Sequence, residues 1–213
     1  MVTFEELIWE GIAKSSKYEG VHAAHFDYPC KRYAYYKITE PELFNISDRK
    51  TKFRFWIGEA LHSKPVLPES KVKVNTVEYS GCHFSPDEYY DGYLLEKKSV
   101  ANWFKLPKGL RRPSLHHVIR CEHYKMALEL NNIRVKAVGL LYLDYVMNKL
   151  SLFTTENNSL NLRLTPEIKE SFDVMNEDLK LSVAKRILPS RFLSWLCDYC
   201  SAYTKCFTVD GRE

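Results

Sequence analysis

Apolar residues recur at helical spacing in two parts of the chain, and each recurrence predicts a helix. Between residues 47 and 63 the i, i+3, i+4, i+7 spacing predicts one buried stripe, made of Phe53, Trp56, Ile57, Ala60 and Leu61. Ser114 is suited to cap a second helix that runs to about Asn131, with a stripe made of Leu115, Ile119, Met126 and Leu130. A third helix begins at Thr165-Pro166, because proline fits the first helical turn, and runs through Ile187.

Strand patterns lie between the first two of these helices and again after the second. Residues 71 to 79 alternate valine with lysine, and the runs 82 to 90 and 93 to 100 flank Asp91-Gly92. That dipeptide favours a two-residue hairpin turn. Residues 135 to 144 form a continuous apolar run, as central strands do. The order helix, three strands, helix, strand predicts an α/β fold.

The two ends of the chain are interpreted as a cover over this core. Thr3 and Glu6 form a capping-box pattern that opens a first helix, which should end between Gly11 and Gly20. The aromatic-rich segment 18 to 37 is expected to be a helix or helix-turn segment packed near the C-terminus. A chain of 213 residues favours one domain. Its core would span about 47–145, with the cover formed by 1–46 and 146–213.

The hairpin turn brings two carboxylates together. If Asp91-Gly92 forms the loop, Asp87 falls directly opposite Glu96, with Cβ atoms about 5 Å apart. Lys98 lies two residues beyond Glu96 and shares its face of the strand. Facing carboxylates repel each other unless a cation lies between them, and hard oxygen ligands suit Mg²⁺ or Mn²⁺. The alternative is an exposed hairpin with ordinary surface charges.

The chain carries a formal net charge of +4, which is compatible with a polyanionic partner. Its most basic segment, residues 105 to 117, contains no acidic residue and is either a phosphate-tracking loop or a solvated basic loop. Trp103 and Phe104 precede this segment and would stack on bases. On the second predicted helix, three polar residues fall within about 60° of one another and would face a cleft, namely His117, Arg120 and Tyr124.

The cysteines favour a metal site. No apolar run approaches the length of a membrane span, and the acidic N-terminus is unlike a secretory signal, so we expect a cytoplasmic protein. Disulfides are rare there. One N-terminal cysteine and three C-terminal ones, separated by two and then five residues, would supply four soft ligands for an iron–sulfur cluster or zinc: Cys30, Cys197, Cys200 and Cys206. A thiol cluster without metal is the alternative, and Cys82 and Cys121 are expected to be buried thiols.

Together these residues resemble the RecB-like Cas-four family of CRISPR-associated DNA nucleases, within the PD-(D/E)xK phosphodiesterase superfamily. In that family a histidine ends the helix before the first core strand, as His62 does here. An aspartate and a Glu-x-Lys follow on adjacent strands, matched by Asp87 and by Glu96-Lys97-Lys98. The family's iron–sulfur cysteines have the spacing found here, and the helix, three-strand, helix, strand order is the superfamily core. The resemblance covers most of the chain.

The resemblance implies a DNA nuclease that requires Mg²⁺ or Mn²⁺ and carries a [4Fe–4S] cluster on the four cysteines, with zinc as the second choice. The catalytic ion would be held by His62, Asp87, Glu96 and the main-chain carbonyl of Lys97. Lys98 would orient or deprotonate the attacking water. The DNA strand would be positioned by His117, Arg120 and Tyr124. Exonuclease action on single-stranded DNA, with possible endonuclease action, would serve CRISPR spacer acquisition beside the integrase proteins.

One position departs from the family pattern, because Arg120 stands where a glutamine usually precedes the tyrosine by four residues. Arginine accepts no hydrogen bond and carries a fixed charge, so it either grips a DNA phosphate or signals altered activity. Two other interpretations stay open. One is a related viral or plasmid nuclease in replication, recombination or counter-defence. The other is a non-catalytic DNA-binding module with the metal–cysteine clamp, which the intact Asp87, Glu96 and Lys98 disfavour.

Overall fold

The computed structural model describes residues 22–26, 30–44, 49–67, 76–100, 112–193, 197 and 200–208. Five α-helices lie within these residues: α1 Lys31–Thr39, α2 Arg49–His62, α3 Leu115–Leu130, α4 Thr165–Lys185 and α5 Tyr203–Thr208. Short 3-10 turns at Ala23–His25 and Pro41–Phe44 lie on either side of α1. The helix predicted from Thr3 and the strand residues 71 to 75 fall outside the described residues.

Six strands form two sheets in this part of the chain. The smaller sheet pairs β1 Val77–Tyr79 with β2 Cys82–Phe84. The larger sheet contains, in spatial order, β3 Glu88–Tyr90, β4 Tyr93–Val100, β5 Ala137–Asp144 and β6 Lys149–Thr154. Its central pair β4–β5 is parallel, and the two outer pairs are antiparallel. A parallel pair needs a long crossover connection, which here contains α3. The predicted α/β class is confirmed.

The hairpin has the predicted register over its three strand pairs, which end with Glu88 opposite Leu95. Both residues of the Asp91-Gly92 turn have positive φ, 44° and 88°, as a type I′ turn requires. Strand pairing stops at Glu88, so Asp87 lies just beyond the ladder instead of directly opposite Glu96. The first arm is also shorter than predicted, because β2 leaves the hairpin and pairs with β1 in the smaller sheet.

Helix α2 ends at His62 as predicted, but the predicted buried stripe is wrong. Phe53 and Trp56 are 43% and 46% exposed, and their rings stack with centroids 5.8 Å apart. The helix packs on β4 through Gly58 instead, where an added Cβ would lie 2.9 Å from Ser99 Oγ. Because the backbone of α2 approaches the sheet through a glycine, the large aromatic side chains are turned outward.

Helix α3 follows Ser114 as predicted, but its predicted apolar stripe is wrong as well. Leu115 is 73% exposed, and of the four stripe residues only Met126 is fully buried. The buried side includes polar residues, and its members are Cys121, Glu122, His123, Tyr124, Met126, Ala127 and Leu128. Glu122 tolerates burial because the Arg163 guanidinium donates to both of its carboxylate oxygens, at 2.7 to 3.2 Å.

The sheet continues beyond residue 145, the predicted end of the core. β6 pairs with β5, and α4 packs against α1 and α3. Helix α4 begins at Thr165 as predicted and ends at Lys185, since Arg186 takes the left-handed conformation with φ of 53°. No helix of the described residues is long and apolar enough to cross a membrane.

Helix α1 lies against the C-terminal segment, as predicted for the aromatic-rich region. The buried Arg32 donates from Nε to the Pro189 carbonyl at 2.9 Å and from Nη1 to the Cys206 carbonyl at 3.2 Å. One guanidinium therefore joins α1 to two points of the C-terminal segment that are far apart in the sequence.

Candidate active site and cysteine pocket

The end of α2 meets the start of the hairpin through a contact between His62 and Asp87. His62 Nδ1 donates to Asp87 Oδ1 at 3.2 Å, and the other oxygen, Oδ2, accepts from the Lys97 main-chain N–H at 2.7 Å. Burial by itself raises the pKa of Asp87, but the His62 hydrogen bond, the Lys98 charge and the Lys97 N–H outweigh burial and lower that pKa to about 2. Asp87 is therefore ionised at neutral pH.

Glu96 lies at the centre of the site and is 1% exposed. Its Oε1 contacts Lys98 Nζ and lies 3.6 Å from Arg120 Nη1. Burial, followed by the charge of Asp87, raises the pKa of Glu96, while Lys98 and Arg120 oppose the rise. The pKa values of the two carboxyls are thus pushed in opposite directions, as expected for two acidic groups that interact across a small distance.

The residue types at this site suit a hard divalent cation, although their positions do not yet form a ligand set. Glu96 Oε2 is buried and has no hydrogen-bond partner among the described residues, so this oxygen can accept a cation. No three His, Cys, Asp or Glu side chains in the described ranges are arranged to hold a metal ion. In this structure His62 and Lys97 bond Asp87, while Lys98 and Arg120 balance Glu96.

The start of α3 and strand β5 complete one side of the site. Tyr142 on β5 pairs in register with Lys98, and its hydroxyl lies 2.8 Å from His117 Nδ1 while accepting the Ser114 N–H at 3.0 Å. Burial, followed by the charges of His116, Lys98 and Arg120, lowers the pKa of His117 to about 2. The pKa of His116 is lowered to about 4, mainly by burial. Both histidines lie on α3, the helix predicted to follow Ser114, and both are neutral at neutral pH, so they add no charge to the basic segment that precedes the helix.

Sequence reasoning missed Tyr142, although a signal for it existed. It was assigned to an apolar central strand, and a tyrosine within such a strand usually finds a partner for its hydroxyl. Arg120 lies beside Glu96, whereas Tyr124, predicted to face a cleft, is 7% exposed and belongs to the hydrophobic core. Residues 101 to 111, which include Trp103, Phe104 and the first part of the predicted basic segment, lie outside the described part of the chain.

The four spaced cysteines line one pocket between α1 and the C-terminal segment: Cys30, Cys197, Cys200 and Cys206. Arg32 Nη1 lies 3.6 Å from Cys206 Sγ and can donate to it. Burial raises the pKa of Cys200, and the neighbouring thiols raise it further. Four thiols in one pocket fit a soft metal or an iron–sulfur cluster in ligand chemistry. The sulfurs are not arranged around one point in the described residues.

The remaining two cysteines are fully buried, as predicted. Cys82 donates its S–H to Asn176 Oδ1 at 3.3 Å, and burial raises the pKa of this thiol to about 11. Cys121 lies in the core of α3. Neither residue lines the pocket of the four spaced cysteines.

Comparisons with known proteins inform on the fold. No protein-family model and no curated protein matches the sequence. The structure is similar to the crystal structure of SSO0001, with a TM-score of 0.61 over 96% of this chain and 96% of that one. The two sequences are 16% identical. At this identity the likeness concerns the fold alone, and it shows that the α/β architecture is shared over almost the full length of both chains.

Proposed function

We propose that this protein is a metal-dependent DNA nuclease with a PD-(D/E)xK core, hydrolysing phosphodiester bonds. The observation that carries the proposal is the arrangement around Glu96, a buried carboxylate with one oxygen lacking a hydrogen-bond partner among the described residues, next to Lys98 and within the electrostatic reach of Asp87. A buried acid pair with an adjacent ammonium is suited to hold a cation and to activate water.

Each side chain has a defined part in this chemistry. Asp87, Glu96 and His62, with the Lys97 carbonyl, would hold Mg²⁺ or Mn²⁺. When bound, the ion would polarise the phosphoryl oxygen and lower the pKa of a water molecule. Lys98 would exchange its contact with Glu96 for a hydrogen bond to the attacking water. The guanidinium of Arg120 would bind a nonbridging phosphate oxygen, because its planar donors match phosphate geometry.

The substrate would be single-stranded DNA. The exposed, stacked rings of Phe53 and Trp56 lie on the helix that ends at His62, and Trp56 precedes His62 by six positions, a rise of about 9 Å along the helix axis. Exposed aromatic side chains of this kind are suited to stack on unpaired bases. Exonuclease action, with possible endonuclease action, in CRISPR spacer acquisition beside integrase proteins is the role that agrees with the sequence resemblance.

The four-cysteine pocket would hold a [4Fe–4S] cluster, with zinc as the alternative. Its ligands come from the N-terminus of α1 and from the C-terminal segment, so the bound metal would tie these two parts together and contribute to folding. The cluster would therefore be structural.

Cleavage assays test the nuclease proposal. End-labelled single- and double-stranded DNA would be incubated with anaerobically purified protein in Mn²⁺ or EDTA. We expect Mn²⁺-dependent product ladders. The cleavage rate should be lower by a factor of roughly 10² to 10⁴ in Lys98→Ala, as for loss of a catalytic proton-transfer group. Lys136→Ala, which removes a partly exposed lysine paired with Asp91, is the matched control and should cleave normally. Equal activity in Lys98→Ala and wild type would exclude the assigned site.

A second candidate is a DNA-binding module without catalysis. It is favoured by the contacts of Lys98 and Arg120 with Glu96, which balance this carboxylate without a metal. Fluorescence anisotropy with labelled single-stranded DNA separates the two functions. Binding that is unchanged in Asp87→Ala, together with no cleavage in any metal, would support the module over the nuclease.

A further inference from the structure

The middle residue of the Glu-Lys-Lys triplet has a completely buried side chain. Lys97 is 0% exposed and alternates on β4 with Glu96 and Lys98, so it extends from the opposite face of the strand. Its Nζ donates to the His62 carbonyl at 2.9 Å, to the Lys64 carbonyl at 2.7 Å and to Glu88 Oε1 at 2.7 Å. An ammonium has three donors, and all three are used.

Glu88 completes this arrangement from β3. It is also 0% exposed, and its carboxylate accepts the main-chain N–H of Val66 at 2.8 and 2.9 Å and that of Leu67 at 2.7 Å. The ion pair therefore binds carbonyls at the end of α2 and amides of the segment that follows it. The helix end that carries His62 is fastened to the hairpin at four main-chain groups.

Stability alone does not account for this pair. Burying two charges costs desolvation energy, and a well-packed apolar pair of similar size is often at least as stable. The ion pair instead fixes the positions of the groups that it binds. Lys97 bonds Asp87 through its main-chain N–H at 2.7 Å and the His62 carbonyl through its side chain. One residue therefore holds both partners of the His62–Asp87 contact.

We propose that the buried Lys97–Glu88 pair is a positioning device that holds His62 against Asp87 and so sets the metal affinity of the site. The proposal rests on the proposed nuclease function. Lys97 is not a catalytic residue, since its ammonium faces away from Glu96 and has no donor left for a substrate. Lys98 faces the site, and Lys97 acts through the main chain of α2 and through Asp87.

The test uses the double variant Lys97→Met/Glu88→Gln, which removes both charges but keeps the volume and an acceptor for the Val66 and Leu67 amides. The matched control is Asp91→Asn/Lys136→Met, a Lys–Asp pair at the exposed turn of the same hairpin. Both variants should unfold within a few degrees of wild type. The Mn²⁺ concentration for half-maximal cleavage should rise 10- to 100-fold in the first and stay unchanged in the control, as for supporting residues around a metal.

A combination with His62→Ala distinguishes positioning from a general structural effect. If the pair acts through His62, adding His62→Ala to the double variant should raise the half-maximal Mn²⁺ concentration no further than His62→Ala alone. If the increases in half-maximal Mn²⁺ concentration caused by the double variant and by His62→Ala multiply, the two act independently and the proposal is overturned. An unchanged Mn²⁺ titration in the folded double variant would also overturn it.

Hydrogen–deuterium exchange gives a readout that needs no nuclease activity. Amides of residues 62 to 67 should exchange at least tenfold faster in Lys97→Met/Glu88→Gln than in wild type or in the Asp91→Asn/Lys136→Met control. Unchanged exchange would show that the pair does not fix this segment and would overturn the proposal. Wild-type protein without Mn²⁺-dependent cleavage would refute the nuclease function. Hydrogen exchange alone would then test whether the Lys97–Glu88 pair holds the end of α2 in place.

Discussion

Replacing Arg120 tests the charge balance of the site. Its Nη1 lies 3.6 Å from Glu96 Oε1, so the guanidinium opposes the approach of a divalent cation to that carboxylate. Arg120→Gln removes one positive charge and keeps a polar side chain of similar length. We expect this variant to bind Mn²⁺ more tightly than wild type, because the metal no longer competes with a fixed cation.

The size of the effect follows from the Coulomb energy of that contact. Two unit charges 3.6 Å apart interact by about 1 kcal/mol in water and about 5 kcal/mol at an effective dielectric constant of about 20. The Arg120 side chain is 22% exposed, so solvent screening and side-chain freedom keep the energy near the lower value. A gain of about 1 kcal/mol corresponds to a roughly fivefold higher Mn²⁺ affinity.

Isothermal titration calorimetry with Mn²⁺ at pH 8 measures this gain. The high pH limits proton competition, since burial raises the pKa of Glu96. Arg120→Lys keeps the charge, and as the matched control it should bind Mn²⁺ like wild type. Cleavage at saturating Mn²⁺ should fall in Arg120→Gln, because the phosphate loses its charged contact. Mn²⁺ binding by Arg120→Gln that is equal to or weaker than wild type would refute the charge argument.

Three other perturbations have expected outcomes. Phe53→Ala/Trp56→Ala should weaken single-stranded DNA binding by roughly 5- to 160-fold in anisotropy, since a stacked base contributes about 1–3 kcal/mol; unchanged affinity would exclude stacking there. Burial, followed by Arg163 and Arg120, lowers the pKa of His123 to about 3, so stability is full above about pH 6.5 and falls as the unfolded ring takes up a proton below it. Urea unfolding measures this. Between pH 8 and pH 5 the free energy of unfolding should fall by about 2 kcal/mol less in His123→Leu and in His123→Gln than in wild type. The same pH dependence in wild type and both variants would contradict this. Cys30→Ser should lower the metal content of anaerobically purified protein while Cys82→Ser keeps it, and equal metal in both would exclude the pocket.

Local sequence signals predicted the elements whose formation depends on neighbouring residues. The Asp91-Gly92 turn fixed the hairpin register, because both residues must adopt positive φ. The apolar run that became β5 indicated a strand buried on both faces. In contrast, β6 was missed although Leu150 and Leu152 alternate with polar residues as in a strand. Both leucines are exposed, so this alternation does not mark a core face.

Helix faces were predicted less well, because distant partners decide which side is buried. On α2 the contact with β4 is made through Gly58, which contributes no hydrophobic signal. On α3 the buried side includes Glu122, which depends on Arg163, a residue 41 positions away. Hydrophobic periodicity assigns charged residues to the surface, and for a helix with a buried charged residue it therefore predicts the wrong buried face.

The residues of the candidate site also differ in whether local or long-range contacts place them. Asp87, Glu96 and Lys98 were predicted together because a tight hairpin, which is a local feature, places them. His62 was added through the resemblance to a nuclease family. Tyr142 was missed because its position beside Lys98 depends on the parallel register of β4 and β5, which meet only through a crossover. Long-range pairing of this kind leaves little trace in a single sequence.

The two adjacent lysines show what decides function in this strand. Alternation places Lys97 and Lys98 on opposite faces of β4, and the sequence predicts that much. It does not predict that the end of α2 closes one face, so that Lys97 becomes fully buried while Lys98 contacts Glu96 from the other. Chemically identical side chains thus serve different purposes, because one has its three donors occupied by protein groups and the other can exchange its single carboxylate contact. In the proposed nuclease, the inner lysine would restrict where His62 and Asp87 can lie, and this restriction would give the outer lysine a fixed site at which to act.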